Sequence, residues 1–392
     1  MKSNTSTKAR VLYCAEASSG GIAEYVKFHS LALVESGLAV TILCREDYPH
    51  KKIPGVSFVA ELPAKQKKAS SLMRVLDYIS DSRTISRKVL DLVTGGGYDY
   101  VLLDCFREYL SPFWVGPLKK ARAKGIRFGV VAHDPVRDFV VGPHWWHSLS
   151  IRMAYSFIDD VYVHDSSRID FGRSHPETIR IHEIPHGPYE ISPPIKGREI
   201  VREEMGFQKD DQVCLSFGQI RDGKNLDLFL RAMTSLPESV KLLVAGKSDS
   251  GSQKTPEYYQ NEARERGVDA RCQWLIKYIN EDEIADLFAA SDLVLLTYSK
   301  AFVSASGVLN IAVECAKPVL ASGGAGPLKT AVSNYPIGEW IEDLNEESVA
   351  SAVTSLLKPG REFHFAEYAD DHSWKRNAAT VKDAIVRKTD ED

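Results

Sequence analysis

No stretch of this chain is apolar for long enough to cross a membrane. The longest runs, such as Leu293-Val-Leu-Leu296, fall far short of the ~18 residues a spanning helix needs. The first residues, Met1 to Arg10, are polar and lead directly into a strand pattern at Val11, so no secretory leader is expected. No Cys-x-x-Cys pair occurs; Cys14, Cys44, Cys105, Cys214, Cys272 and Cys315 stand apart, several inside expected strands. They read as reduced core residues of a cytoplasmic protein, with neither a disulfide framework nor a structural zinc. Also missing are a G-x-G-x-x-G turn, which disfavours NAD, and a G-x-x-x-x-G-K-[ST] loop, which leaves an NTPase unsupported. A large excess of either charge is missing too: the formal net charge is −4 over 392 residues, and nothing suggests nucleic acid as a partner. What is present is an ordinary globular composition, 44% hydrophobic and 26% charged, with length for two or three domains.

The small net charge hides an asymmetry, basic over residues 1–190 and acidic beyond. Lys65, Lys67, Lys68, Arg74, Arg83, Arg87 and Lys88 cluster in the first half, as do Lys119, Lys120, Arg122, Lys124 and Arg127. Two readings stay open: a solvated helix face, or peripheral attraction of the basic first domain to anionic lipid head groups. Leu72, Val75, Leu76 and Ile79 fit an interfacial helix face and equally an ordinary domain helix.

Strands alternate with helices along the chain. Apolar runs predict strands at 10–14, 39–43, 100–103, 128–131 and 160–163, then at 212–217, 240–245, 271–275, 293–296 and 318–321. Strands apolar on both faces belong to a parallel sheet covered on both sides. The Pro- and Gly-rich stretch Ile184-Pro-His-Gly-Pro188, with Ser192-Pro-Pro194, divides the pattern. The expected architecture is therefore α/β, with two Rossmann-like doubly wound parallel-sheet domains facing a cleft. Residues 1–190 form the first and 191–370 the second; a last helix within 371–392 has room to cross back to the first domain.

Ligands of such sheets bind beyond the carboxyl ends of the strands, so the loops after strands carry the chemistry. Gly20 and Gly21, after the first strand, open a helix; they suit phosphate or acceptor contact, or are merely a tight turn. His133, with Asp134 and Pro135, follows another strand, where an imidazole could donate to a hydroxyl or phosphate oxygen or simply cap its own loop. In the second half, Gly218-Gln-Ile-Arg-Asp-Gly-Lys224 runs straight into a helix. Arg221 and Lys224 place two cations and several N–H donors around one point, as a leaving diphosphate requires. Ser304-Ala-Ser-Gly-Val308 starts a further helix suited to an anion, or to ordinary N-capping by a serine. Around Asp134 and Arg137, the segment ending Trp145-Trp146-His147 is unusually aromatic; its tryptophans stack on sugar faces or pack the loop.

Taken together these residues resemble the GT-B glycosyltransferases, specifically the family-4-like group. The resemblance covers roughly residues 9–388. It rests on Ser19-Gly-Gly-Ile-Ala-Glu24, the His133-Asp-Pro135 turn, Ile184-Pro-His-Gly187 and Phe217-Gly-Gln-Ile-Arg-Asp-Gly-Lys-Asn-Leu-Asp227. It continues through Tyr278-Ile-Asn-Glu-Asp-Glu-Ile284, Ala290-Ser-Asp-Leu-Val294, Ser306-Gly-Val-Leu309, Lys317-Pro-Val-Leu-Ala321 and Ser373-Trp374. It implies transfer of a hexosyl unit from a UDP- or GDP-linked sugar to a hydroxyl of a saccharide or lipid-linked saccharide, in bacterial polysaccharide or glycoconjugate synthesis. No cofactor or metal is implied. By this resemblance Gly218, Gln219, Arg221, Lys224 and the helix start Ser306, Gly307, Val308 and Leu309 bind the donor diphosphate. His133 takes the place of the family's cleft histidine near the donor sugar, and Gly20 and Gly21 lie close to the phosphates and the acceptor. One departure stands out. Where the family carries two glutamates eight apart, this chain has Val303 and Ile311, with Glu314 three residues later. The missing pair leaves open a non-catalytic binding protein of the same fold, and the fold alone leaves open an epimerase or hydrolase of nucleotide sugars.

Overall fold

The computed structural model describes residues 8–64, 71–104, 107–133, 140–164, 169, 171, 178–188, 191–248 and 253–387. Met1–His186 together with Ser373–Asp392 form one compact unit, and Gly187–His372 form the other.

The first unit runs β1 (Arg10–Ala15), α1 (Gly21–Glu35), β2 (Ala39–Arg45), β3 (Ser57–Leu62), α2 (Ser71–Thr94) and β4 (Tyr100–Asp104). It continues with α3 (Gly116–Arg122), β5 (Arg127–Ala132), α4 (His144–Tyr155), β6 (Asp160–Val163) and β7 (Arg180–Glu183). Its strands pair in the order β3-β2-β1-β4-β5-β6-β7, every pair parallel. Side chains alternate across a strand, so a sheet covered on both faces needs apolar residues at consecutive positions. Val11, Leu12 and Tyr13 meet that need, all fully buried. Leu12 and Val101 pack beneath α2 through Ile85 and Val89, while Val11 and Tyr13 pack beneath α1 through Val26 and Leu33.

The second unit repeats the scheme with α5 (Arg198–Glu204), β8 (Gln212–Phe217), α6 (Leu226–Ala232), β9 (Val240–Gly246), α7 (Pro256–Glu265), β10 (Cys272–Ile276) and α8 (Glu281–Ala290). There follow β11 (Leu293–Thr297), α9 (Gly307–Glu314), β12 (Val319–Ser322), α10 (Pro327–Asn334), β13 (Gly338–Trp340), α11 (Glu346–Leu356) and α12 (Phe365–Asp371). The sheet order is β10-β9-β8-β11-β12-β13, again parallel throughout. Local signals set several helix starts: Asn280 and Glu283 close a capping box on α8, and the Ser306 side chain accepts from the Leu309 N–H to begin α9.

The last helix, α13 (Trp374–Val386), belongs to the first unit. Its Ala378, Val381, Ala384 and Ile385 are buried in the same cluster as Val26 and Leu33 of α1. Asn377 donates from one amide nitrogen to Tyr25 Oη at 3.1 Å and to the Pro185 carbonyl at 2.7 Å. In both sheets strand order reverses at the strand that starts the unit. The crevices for ligands therefore lie at the carboxyl ends of β1 and β4 and of β8 and β11.

Candidate functional site

The loop after β8 is where the second unit concentrates its positive charge. Gly218 leaves the strand with φ +87°, a left-handed conformation glycine takes without strain. Its N–H donates to the Ala245 carbonyl at 2.8 Å, and the Ile220 N–H to the Lys247 carbonyl at 2.9 Å, tying the loop to the end of β9. The Lys224 ammonium turns back and donates to the Phe217 carbonyl, on the last residue of β8. Burial, with Arg221 adding to it, pushes Lys224 down to about 7. Arg221 spreads over a stacked aromatic pair. Its guanidinium lies 5.9 Å from the Tyr298 ring centre and 5.8 Å from that of Phe302, and the two rings are 4.1 Å apart.

Backbone links from β11 hold this loop from the other side. Thr297 donates its hydroxyl to the Lys224 carbonyl at 2.9 Å, Asn225 donates its amide to the Thr297 carbonyl at 2.9 Å, and the Ser299 N–H donates to Gly223 at 2.8 Å. Tyr298 Oη lies 3.3 Å from Ser306 Oγ, which joins the aromatic pair to the start of α9. Gly218, Arg221, Lys224 and Ser306 thus converge at the strand-order reversal of the second sheet. Gly307, Val308 and Leu309 form the first turn of α9 beside them. Gln219 points outward and is exposed. Ile311 is buried and Glu314 exposed at the far end of α9, so neither supplies a carboxylate to this corner.

In the first unit, Gly20 has φ +77° and open space where a Cβ would stand, and Gly21 begins α1. One turn on, Tyr25 is the hub of an imidazole cluster: the rings of His29, His133, His164 and His186 lie 4.5–5.8 Å from its own, and the indole of Trp374 at 4.9 Å. His133 Nε2 is 2.8 Å from Asp104 Oδ1. The apolar run of β4 predicts a strand ending near Leu103 and gives no hint that the next residue is a buried carboxylate facing His133.

Another group that sequence patterns leave hidden holds the loop after β1. Arg45, 2% exposed, donates to Asp81 and to the Glu16 and Pro63 carbonyls. Arg107 bridges Glu16 and Asp81. Burial opposes a charged Asp81, yet its hydrogen bonds to the two guanidinium groups outweigh that and hold its carboxyl below the usual range. These four residues come from four separate segments. Trp145 and Trp146 sit at the start of α4, the first 68% exposed and the second packed 5.8 Å from the Phe113 ring. Asp134, Arg137 and Cys105 lie outside the described residues. On α2, Val75 and Leu76 are exposed, whereas Ile85 and Val89 further along enter the core. Among the described residues no helix is long and apolar enough to cross a membrane.

The buried imidazoles carry a stability prediction. Burial lowers His29 from its ordinary value to about 3, and lowers His164 well below its own. Between pH 6.5 and those values the unfolded chain binds protons that the folded one refuses, so stability falls as pH falls through this window. His29 alone contributes a slope of up to about 1.4 kcal/mol per pH unit. Urea unfolding at pH 7, 6 and 5 should show that slope reduced in His29→Gln, which keeps an acceptor for the Tyr13 hydroxyl now 2.9 Å from His29 Nδ1.

Two parallel sheets of this order define a GT-B-fold protein. The chain is similar over 96% of its length to the lipopolysaccharide glycosyltransferase WaaG, covering 100% of that chain, with 18% identity and a TM-score of 0.64. It is likewise similar over 96% of its length to Anabaena HepE in complex with UDP and glucose, covering 95% of that chain, with 15% identity and a TM-score of 0.61. Residues 197–379 match the family "Glycosyl transferases group 1". A D-inositol 3-phosphate glycosyltransferase of Catenulispora acidiphila is 30% identical over 209 residues, 50% of this chain and 47% of that protein. The chain thus spans about half the length of the curated relatives it matches.

Proposed function

We propose that this protein transfers a hexosyl unit from a nucleoside-diphosphate sugar, UDP- or GDP-linked, to a hydroxyl of a saccharide or lipid-linked saccharide. The observation that carries this reading is the pairing of Arg221 and Lys224 on one glycine-bearing loop at the strand-order reversal of the second sheet. When the anomeric C–O bond breaks, its electrons leave with the diphosphate, and cations fixed beforehand in a partly dry corner lower the energy of that developing charge. Gly218 lets the backbone approach the phosphates without a side chain in the way, and the start of α9 turns the positive end of its helix dipole toward them. With no carboxylate at 303 or 311, donor hydroxyls are held by backbone groups and Ser306. The occurrence of UDP and UDP-glucose in the HepE structures supports a donor of this class.

Calorimetry and thermal shift with UDP, GDP and their sugars test the reading. One nucleotide series should bind, and Arg221→Ala should weaken it by about 10- to 100-fold, the worth of a charge-assisted bond. Absence of binding at millimolar concentration would refute it in favour of a non-catalytic protein of the same fold.

A further inference from the structure

The loop that carries the two cations also carries a carboxylate. Asp222 stands between Arg221 and Lys224 in sequence, where a free negative charge would repel a diphosphate. The structure directs it instead to the residues that lead into α7. Asp222 Oδ1 accepts the Lys254 N–H at 2.9 Å and the Tyr259 hydroxyl at 3.1 Å, and the Asp222 N–H donates to Gln253 Oε1 at 2.7 Å. Tyr259 is fully buried on α7, so this hydroxyl comes from a fixed ring. Burial, with Asp222 beside it, raises the hydroxyl above its usual range and keeps it a donor. The Lys254 ammonium donates to Asp227 Oδ2 at 3.0 Å, in the first turn of α6. Residues 253–259 are thus laced to the cation loop and to the helix that follows it. Asp222 also opens the tight turn Asp222–Lys224, and its carbonyl accepts the Asn225 N–H at 3.0 Å. Among the described residues the backbone bonds toward β9 end at Ile220; beyond it, the tie on that flank runs through Asp222.

We propose that Asp222 is a positioning residue of the donor site: by clasping residues 253–259 it fixes the turn that joins Arg221 to Lys224, so that a nucleoside diphosphate meets cations already in place. The inference rests on the glycosyl-transfer reading above. Asp222 itself makes no contact with the donor. What it supplies is hydrogen-bond acceptance, which an amide oxygen also offers and a methyl group does not. A loop that must be ordered at each encounter loses affinity for the donor and for the transition state alike. Its loosening therefore appears in donor KM and hardly in kcat.

Hydrogen–deuterium exchange and steady-state kinetics of the full chain test this role. In Asp222→Ala the backbone amides of residues 221–225 and 253–259 should lose protection. Donor KM should rise about 10-fold or more while kcat stays within about threefold of wild type. Asp222→Asn should restore most of the protection and of the donor affinity. Tyr259→Phe keeps the buried ring and removes a single bond; it should move KM the same way to a smaller extent, and it takes the place of Asp222→Ala if that variant does not fold. Unchanged protection or unchanged KM in Asp222→Ala overturns the proposal. So does an equal rise of KM in Asp222→Asn, which would make the negative charge itself the cause, and so does a fall in kcat at constant KM. A wild type that binds no donor would instead sink the transfer reading, and the kinetic comparison with it, while exchange at residues 253–259 would still report whether Asp222 holds the loop.

Discussion

Replacing Lys224 with methionine is expected to lower kcat/KM for transfer by about 100- to 1,000-fold, the cost of removing one preorganised charge from a developing anion. Methionine retains most of the apolar stem, so the loss reports the ammonium group and little of the packing. The same residue predicts a pH signature. Burial beside Arg221 holds Lys224 at about 7, so in the empty site the group is partly neutral at physiological pH. A diphosphate favours the charged form and raises that value again, and binding above pH 7 therefore takes up a proton. Donor affinity should fall as pH rises above 7, by up to about tenfold per pH unit, and level off below it. Calorimetry at pH 8 in buffers of different ionisation heat measures the uptake directly, with a nucleotide sugar whose diphosphate has no titrating group in this range. Lys224→Met should show none. Linkage to folding has the opposite sign. The folded value lies below the unfolded one, so the unfolded chain holds the extra proton between pH 7 and 10.5, and the empty protein gains stability from this group as pH rises.

Gly246→Ala should damage both the fold of the second unit and its site, although Gly246 carries no functional group. A Cβ built there would lie 1.9 Å from the Gly218 carbonyl oxygen and 2.7 Å from its carbon. Both atoms are backbone, so no side-chain rotation relieves the clash; the loop after β8 must move. That movement also strains the Gly218 N–H bond to Ala245, the residue just before the new methyl group. Overpacking of this kind costs about 1–3 kcal/mol or more. For a unit of this size each kcal/mol lowers the unfolding temperature by roughly 2–4 °C. Because Lys224, on that loop, is anchored to Phe217 at the end of β8, donor affinity should drop at least as sharply as in Arg221→Ala. Wild-type melting and donor affinity in the Gly246→Ala variant would show that the loop tolerates displacement and that its rigid seat is unimportant.

The central strands were legible because they are buried on both faces and so spell unbroken apolar runs. β3, β7 and β13 lie at sheet edges, where one side lacks a partner and burial is partial. Ser57-Phe-Val-Ala-Glu-Leu62 and Arg180-Ile-His-Glu183 carry no such run, and Gly338–Trp340 is three residues long. The Arg221 and Lys224 loop announced itself by two cations and two glycines between a strand and a helix. Asn225, which the sequence places as the first residue of the following helix, instead adopts φ +51° and turns its amide to β11. That role depends on a strand some seventy residues away, and no local pattern records it. Asp104 was hidden for the same reason: its significance comes from parallel register with β5. The Arg45, Asp81, Arg107 and Glu16 network is assembled from sequence-distant segments, and only the folded chain brings the four together.

The placement of α13 fixes the order in which the polypeptide can mature as it leaves the ribosome. All of Gly187–His372 is synthesised before the residues that cover α1, so the later-encoded unit can close its core while the earlier one still lacks Val381, Ala384 and Ile385. Until then, the apolar surface around Val26 and Leu33 and the Pro185 carbonyl await partners. A premature stop before Ser373 would leave the second unit able to fold and the first permanently unfinished, a substrate for chaperones and proteases instead of a half-working protein.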